Sequence, residues 1–271
     1  MYRLLAIDLD GTLLTPQRLI TRRTYHALTQ AVEAGMQLVI ATGQTLNVLR
    51  VICADLPLRA PQIIYNGAII ADIQSGAILH ELLVPPEHIL PTLALLHEAE
   101  LYRGYHTHEY VYVEQDTPNA RTWYRPPVPP AIEVADITTI YPQPCIKLIG
   151  VGSEHTLRQK RGELERLLAN QIYVTQASRD LLEFLHPTAS KGHALRILSQ
   201  VLSIVPEEIV AFGDNHNDIG MLQFAGLGIA MGNAHDEVKA LADYVTLSNS
   251  EDGVAVALEE MVLPHLPRPP V

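Results

Sequence analysis

The sequence predicts an α/β protein in which a parallel sheet, covered by helices on both faces, is interrupted by an inserted α+β module. Three observations predict it. Short apolar runs alternate with helically spaced apolar residues over the first 82 positions, and the same rhythm returns from Lys191 onward. Between about Val84 and Thr188 the alternation thins and prolines cluster at Pro85-Pro86, Pro126-Pro127 and Pro129-Pro130. Apolar strands separated by amphipathic helices bury both faces of a sheet, and right-handed crossovers leave the C-terminal ends of all its strands on one edge, where ligands bind. The predicted domains are 1–83 with 189–271, forming one core, and 84–188 as the insertion.

In the first segment, Leu4 to Ile7 has the length of a strand, and Tyr25, Leu28 and Val32 follow at helical spacing. Gln37 to Ala41 is the second strand, Leu46, Leu49 and Ile52 mark a helix, and Ile63 to Tyr65 is the third strand. Inside the insertion, Glu109 to Glu114 and Cys145 to Val151 are strands. A helix is expected over Ile89 to Ala99 with Pro91 near its start, because proline is tolerated in a first turn and harmful beyond it. A second helix covers Leu157 to Leu168. Tyr102-Arg103-Gly104-Tyr105-His106-Thr107-His108 carries groups able to touch a sugar or nucleotide, but a strand with a solvated polar face is the preferred reading of each side chain. The late segment places Leu195, Leu198 and Leu202 on a helix, Glu208 to Phe212 on a strand, Met221 and Phe224 on a helix, and Leu227 to Ala230 and Tyr244 to Leu247 on two more strands. The proline-rich tail after His265 is expected to be a loose end.

Composition narrows the function. Of 271 residues, 48% are hydrophobic and 18% charged, enough apolar side chain for a real core. Lys and Arg total 19 against 30 Asp and Glu, a formal charge of −11 that repels nucleic acid and anionic lipid. No partner of either kind is expected, and a monomer or homodimer is. Cys53 and Cys145 form no metal-binding spacing and no disulfide framework, which fits a reducing compartment. Acidic residues from position 8 leave no apolar stretch for a signal peptide, and no segment is long and apolar enough to span a bilayer, so the cytoplasm is the expected location.

The chemistry collects at strand ends. The first strand runs into Asp8-Leu9-Asp10-Gly11-Thr12, placing two carboxylates one residue apart at the ligand-binding edge. Like charges that close raise each other's pKa, so the pair suggests a divalent cation or a division between ionised and protonated roles. The plainer alternative is a turn at Asp10-Gly11 with Asp8 as a helix cap. Gly213-Asp214-Asn215-His216-Asn217-Asp218 follows another strand, and its oxygen ligands suit Mg2+, although such a run also makes an Asx-rich turn. His216 is expected to pack the loop or face solvent. Thr42-Gly43-Gln44 offers a hydroxyl and backbone N–H groups near a helix start, a weak phosphate-site signal that an ordinary N-cap would share. Lys191 brings a compact positive charge to the same edge.

These residues together resemble the haloacid dehalogenase superfamily, specifically its Cof-type phosphatases. DLDGT near the N-terminus, Thr-Gly after the second strand, SKGHAL, GDNHND and Met231-Gly232-Asn233-Ala234 occur in the order and spacing of that family along the whole chain, and Asn66-Gly67-Ala68 and Asp252-Gly253-Val254 add local similarity. The resemblance implies a Rossmann-like core, with the insertion acting as a cap that selects the leaving group. It implies that Asp8 is the nucleophile that becomes an aspartyl phosphate and that Asp10 is the general acid and base. It further implies that Asp8, the backbone carbonyl of Asp10 and Asp214 hold Mg2+ with Asp218 in support, and that Thr42, Gly43, Lys191 and Asn217 bind phosphoryl oxygens. One departure stands out: relatives commonly carry arginine where this chain has Gln44, which keeps hydrogen bonding and loses the charge.

The expected activity is Mg2+-dependent hydrolysis of a small phosphorylated metabolite. A phosphomutase would need the same two acids but would release no phosphate. A phospho-receiver or regulatory phosphate-binding protein would need neither a general acid nor a cap.

Overall fold

The computed structural model describes residues 1–115, 117–118 and 131–267. The Pro126-Pro127 and Pro129-Pro130 clusters and the last four residues of the proline-rich tail lie outside the described residues. The chain divides into two compact units, Met1–His80 with Ser190–Val271, and Glu81–Ala189. Numbered in chain order, the strands are β1 (Leu4–Asp8), β2 (Gln37–Ala41), β3 (Gln62–Ile64), β4 (Ile69–Ala71), β5 (Ile78–Glu81), β6 (Tyr102–His106), β7 (Val111–Glu114), β8 (Ile132–Val134), β9 (Lys147–Val151), β10 (Tyr173–Ser178), β11 (Leu181–Leu185), β12 (Ile209–Gly213), β13 (Leu227–Ala230) and β14 (Tyr244–Val245).

Among the described residues, the first unit holds an eight-stranded sheet in the order β14-β13-β12-β1-β2-β3-β4-β5. The first six run parallel to their neighbours, as the apolar runs predict. β1 sits in the middle, flanked by β12 and β2, and all five of its residues are buried. Leu4 and Ala6 pack in one cluster with Leu195 and Leu198 of helix Lys191–Val201 and Met221 and Leu222 of helix Ile219–Phe224. Leu5 and Ile7 point to the opposite face and are equally buried.

β3 and β4 form an antiparallel pair that the sequence reading did not anticipate. The chain reverses through Tyr65-Asn66-Gly67, all three in the left-handed region (φ 50°, 54° and 92°), and so short a connection can only return antiparallel. A Cβ at Gly67 would lie 2.2 Å from the Ser190 carbonyl oxygen, so no side chain fits there. The β2–β3 ladder is short, with Ala41 opposite Ile63. The fully buried Gln62 side chain fills in: Oε1 accepts from the Ile40 N–H at 2.7 Å, and Nε2 donates to the Leu38 and Ala60 carbonyls at 3.2 and 2.6 Å.

The second unit is α+β. Its six-stranded sheet, among the described residues, has the order β10-β11-β9-β6-β7-β8, antiparallel apart from β7 with β8. Helices Pro86–Glu98 and Glu154–Leu167 bring Leu93, Leu96, Leu157 and Leu164 against Tyr105, Leu148 and Phe184. The first helix starts earlier than the sequence suggested. Pro86 occupies its first turn, and Pro91 lies inside it. The stretch around His106 is also corrected: Tyr102–His106 is a strand, but from Gly104 to Thr107 it is buried rather than solvated. The Tyr105 hydroxyl donates to the Gln143 carbonyl. His106 stands in register with Lys147, which ion-pairs with Glu183 of β11. His216, by contrast, is exposed as expected and meets Glu237 at 2.8 Å.

Two outcomes follow from these packed polar groups. Replacing Gln62 with Leu should cost about 3 kcal/mol in a urea titration, because a buried N–H and two carbonyls lose their partner. Burial, with the Lys147 charge adding to it, holds the His106 imidazole well below its usual 6.5. Such a ring takes up a proton on unfolding, so its stabilising contribution is intact above about pH 6.5 and is lost as pH falls toward the folded-state value. Thermal melts at about pH 7.5 and about pH 5.5 should therefore show a smaller acid-induced drop for His106→Gln than for the wild type.

Candidate active site

Because β12, β1 and β2 are parallel neighbours, their C-terminal ends deliver three loops to one edge of the sheet. β1 ends at Asp8, whose carboxylate is buried. Asp8 Oδ1 accepts from Lys191 Nζ at 2.5 Å, while Oδ2 is buried without a hydrogen-bond partner among the described residues. Lys191 is the first residue of its helix, and the Ser190 hydroxyl caps that helix by accepting from the His193 N–H at 3.1 Å. The same ammonium donates to Asp218 Oδ1 at 2.6 Å. The other oxygen of Asp218 accepts from the N–H groups of Asp214 and Asn215, each at 3.0 Å, and this closes the loop after β12. Asp214 Oδ1 accepts from the Thr12 hydroxyl at 2.9 Å.

Carboxylate oxygens of Asp8, Asp214 and Asp218 all lie within 4.8 Å of one another. Burial raises the Asp8 carboxyl well above the usual range; Lys191 pulls it down, and Asp218 and Asp214 push it up again. Asp214 is raised by burial and then by Asp218. Burial works against the Lys191 ammonium, but Asp218 and Asp8 outweigh it and hold its pKa above the ordinary value. One ammonium pairs with two of the three crowded acids, and the donors of all three are hard oxygens, so the cluster fits Mg2+ in charge and in ligand type.

Asp10 is placed differently. Its carboxylate is outside the three-acid cluster, with Oδ1 accepting from Arg18 Nη1 at 2.7 Å and Oδ2 from Gln44 Nε2 at 2.9 Å. Gly11 follows at φ 92°, where a Cβ would come 2.5 Å from Asp214 Oδ2, so only glycine lets the loop pass. Its carbonyl accepts from Asn233 Nδ2 at 2.9 Å.

The Thr42-Gly43 reading needs one correction. Helix Leu46–Ile52 is capped by Thr45, not Thr42, whose buried hydroxyl accepts from the Gln44 N–H at 3.1 Å. Gly43 lies against Asn66, 3.0 Å from a virtual Cβ to Nδ2. Asn66 ties these loops together: its N–H donates to the Thr42 carbonyl at 2.9 Å, and its Oδ1 accepts from Asn217 Nδ2 at 2.9 Å. Asn217 Oδ1 is buried without a partner among the described residues. Sequence reasoning missed the parts played by Thr12, Arg18, Asn66 and Asn233. The Asn66-Gly67 dipeptide does signal a turn, but no spacing rule reveals a partner 151 positions away.

Removing the cation that separates these acids should be costly. Lys191→Met leaves Asp8 and Asp218 buried without their counter-charge and should lower stability by about 3–5 kcal/mol in denaturant unfolding.

The chain matches the haloacid dehalogenase-like hydrolase family over residues 5–258. It is 31% identical over 280 residues to a pyridoxal phosphate phosphatase of Escherichia coli, with 93% of this chain and 96% of that protein covered. It is 32% identical over 265 residues to a 5-amino-6-(5-phospho-D-ribitylamino)uracil phosphatase of Bacillus subtilis, with 96% of each covered. The crystal structure of a haloacid dehalogenase-like hydrolase from Bacteroides thetaiotaomicron superposes with a TM-score of 0.84 at 30% identity, over 96% of this chain and 100% of that one. Among the described residues, no helix is long and apolar enough to cross a membrane. The chain belongs to the haloacid dehalogenase-like hydrolase family and is one of its phosphatases, a phosphoric monoester hydrolase.

Proposed function

We propose that this phosphatase is Mg2+-dependent and hydrolyses small phosphorylated metabolites, a sugar phosphate or similar phosphomonoester, through an aspartyl phosphate on Asp8 with Asp10 as general acid and base. The contrast between the two acids carries this reading. Asp8 is buried, held through one oxygen by Lys191 and bare at the other, whereas Asp10 is partly exposed and bonded outside the acidic cluster. Titratable groups placed in such different environments are suited to different roles.

Lys191 orients the Asp8 carboxylate toward phosphorus. Attack forms an Asp8 O–P bond and breaks the bond from phosphorus to the ester oxygen, which takes its proton from the Asp10 carboxyl. Asp10, now ionised, accepts a proton from the water that attacks the acyl phosphate. The P–O bond to Asp8 breaks, inorganic phosphate leaves, and both acids regain their starting states. Asp8, Asp214 and the backbone carbonyl of Asp10 would hold Mg2+, with Asp218 in support, and the bound ion supplies charge that neutralises the acids and the phosphoryl group. Thr42, Gly43, Lys191 and Asn217 are assigned to the phosphoryl oxygens, with Asn66 fixing the Asn217 amide. The inserted unit is assigned the selection of the leaving group. The two named phosphatase relatives act on phosphorylated organic molecules of modest size, which supports the same substrate class here.

Asp8→Asn should abolish hydrolysis of p-nitrophenyl phosphate, as should excess EDTA. Asp10→Asn should slow hydrolysis of phenyl phosphate, whose leaving group must take a proton, about 10²–10⁴-fold, the range for removing a general acid-base. Acid quenching followed by borohydride reduction should mark Asp8 alone. Turnover that survives Asp8→Asn would overturn the assignment.

A further inference from the structure

The Asp10 carboxylate is gripped at both oxygens by residues from two different loops. Arg18 comes from the loop that follows β1, and Gln44 from the loop that follows β2. Each arm is itself fixed. The Arg18 N–H donates to the Thr15 carbonyl at 2.8 Å, the Thr15 N–H donates to the Leu19 carbonyl at 3.0 Å, and the Leu19 N–H donates to the Thr15 hydroxyl at 3.2 Å. That loop is tied back to β1 by the Leu13 N–H on the Asp8 carbonyl and the Leu14 N–H on the Leu9 carbonyl. Gln44 is held through its N–H on Thr42 Oγ1 and through its carbonyl, which accepts from the Tyr65 N–H at 3.1 Å.

Stability does not account for this arrangement. The Arg18 and Asp10 side chains are 55% and 38% exposed, and an ion pair that open to water contributes little. Arg18 also holds a left-handed backbone, φ 61°, which an arginine adopts only at a cost. A strained, exposed residue aimed at one carboxylate points to a role in what that carboxylate does.

We infer that Arg18 and Gln44 are positioning residues that fix the plane and reach of the Asp10 carboxyl, so that its proton meets the leaving oxygen and later the attacking water. A carboxyl bound at one oxygen swings about its last torsion; bound at both, it does not. Gln44 suits the cycle in a further way. Its amide can turn to donate to ionised Asp10 or accept from protonated Asp10, whereas a guanidinium only donates. In this chain the positive charge reaches Asp10 from Arg18, on the opposite oxygen. The inference rests on the reading of Asp10 as the general acid.

The test compares phenyl phosphate, whose leaving group needs a proton, with p-nitrophenyl phosphate, whose leaving group needs one far less. Arg18→Ala and Gln44→Ala, each checked for folding by thermal melt, should lose about 10- to 100-fold in kcat/KM on phenyl phosphate, the scale expected when a catalytic group is misplaced by about 1 Å. On p-nitrophenyl phosphate the loss should stay below about threefold, since chemistry there leans less on the acid. Arg18→Lys should recover part of the loss. Acid-quenched samples should also hold a larger steady-state fraction of phosphorylated Asp8 than the wild type, because the same carboxyl activates the water. An equal loss on both substrates, or no loss on either, would overturn the inference while leaving the function standing. A wild-type enzyme that never labels at Asp8 would instead defeat the underlying mechanism.

Discussion

The ammonium of Lys191, buried between Asp8 and Asp218, is the contact on which the rest of the site depends. It joins the end of β1, the first turn of a helix 183 positions later, and the loop that follows β12. Burying carboxylates is expensive unless they are paired, and these acids stand within 4.8 Å of one another. Lys191 supplies one positive charge and two donors to hold them there, and Ser190 fixes where that charge begins by capping the helix behind it. Asp218 then uses its free oxygen to organise the backbone of Asp214 and Asn215, so one cation sets the shape of a whole loop.

Around that contact the site divides into a buried part and an open part. The buried part is acidic and short of positive charge, and it suits an incoming cation and phosphoryl group. The open part holds Asp10 between an arginine and a glutamine at a depth water can reach. One backbone step separates the two, at Leu9, whose side chain is fully buried. Adjacent strand residues point to opposite sides, which lets acids two positions apart share a face near its end and still meet different surroundings once the strand gives way to the loop.

Much of this was legible in the sequence because it sits at the ends of apolar runs. β1, β2, β12 and β13 are continuous hydrophobic segments, and the acids that follow them stand out against a chain that is only 18% charged. The antiparallel return of β4 along β3 was not legible. It depends on three consecutive left-handed residues at Tyr65-Asn66-Gly67, and only the asparagine and glycine advertise that conformation. Pro91 misdirected the helix start because one proline inside a helix is tolerated here, against the usual penalty. Gln44 was recognised as a departure, but its partner Asp10 was not, since a hydrogen bond across 34 positions leaves no periodic trace. Thr12, Asn66 and Asn233 were hidden for the same reason: each reaches a partner more than a hundred positions away.

The sheet order also bears on how the chain is made. β1 leaves the ribosome long before one of its two neighbours, β12, which begins at Ile209, after the entire insertion has been synthesised. The inserted sheet closes its ladder by Leu185 and can be complete while the nascent core still presents an unpaired edge along β1. Parallel pairing over so long a separation is slow to form, so the apolar Leu4–Asp8 segment is a natural client for chaperones until translation reaches its partner.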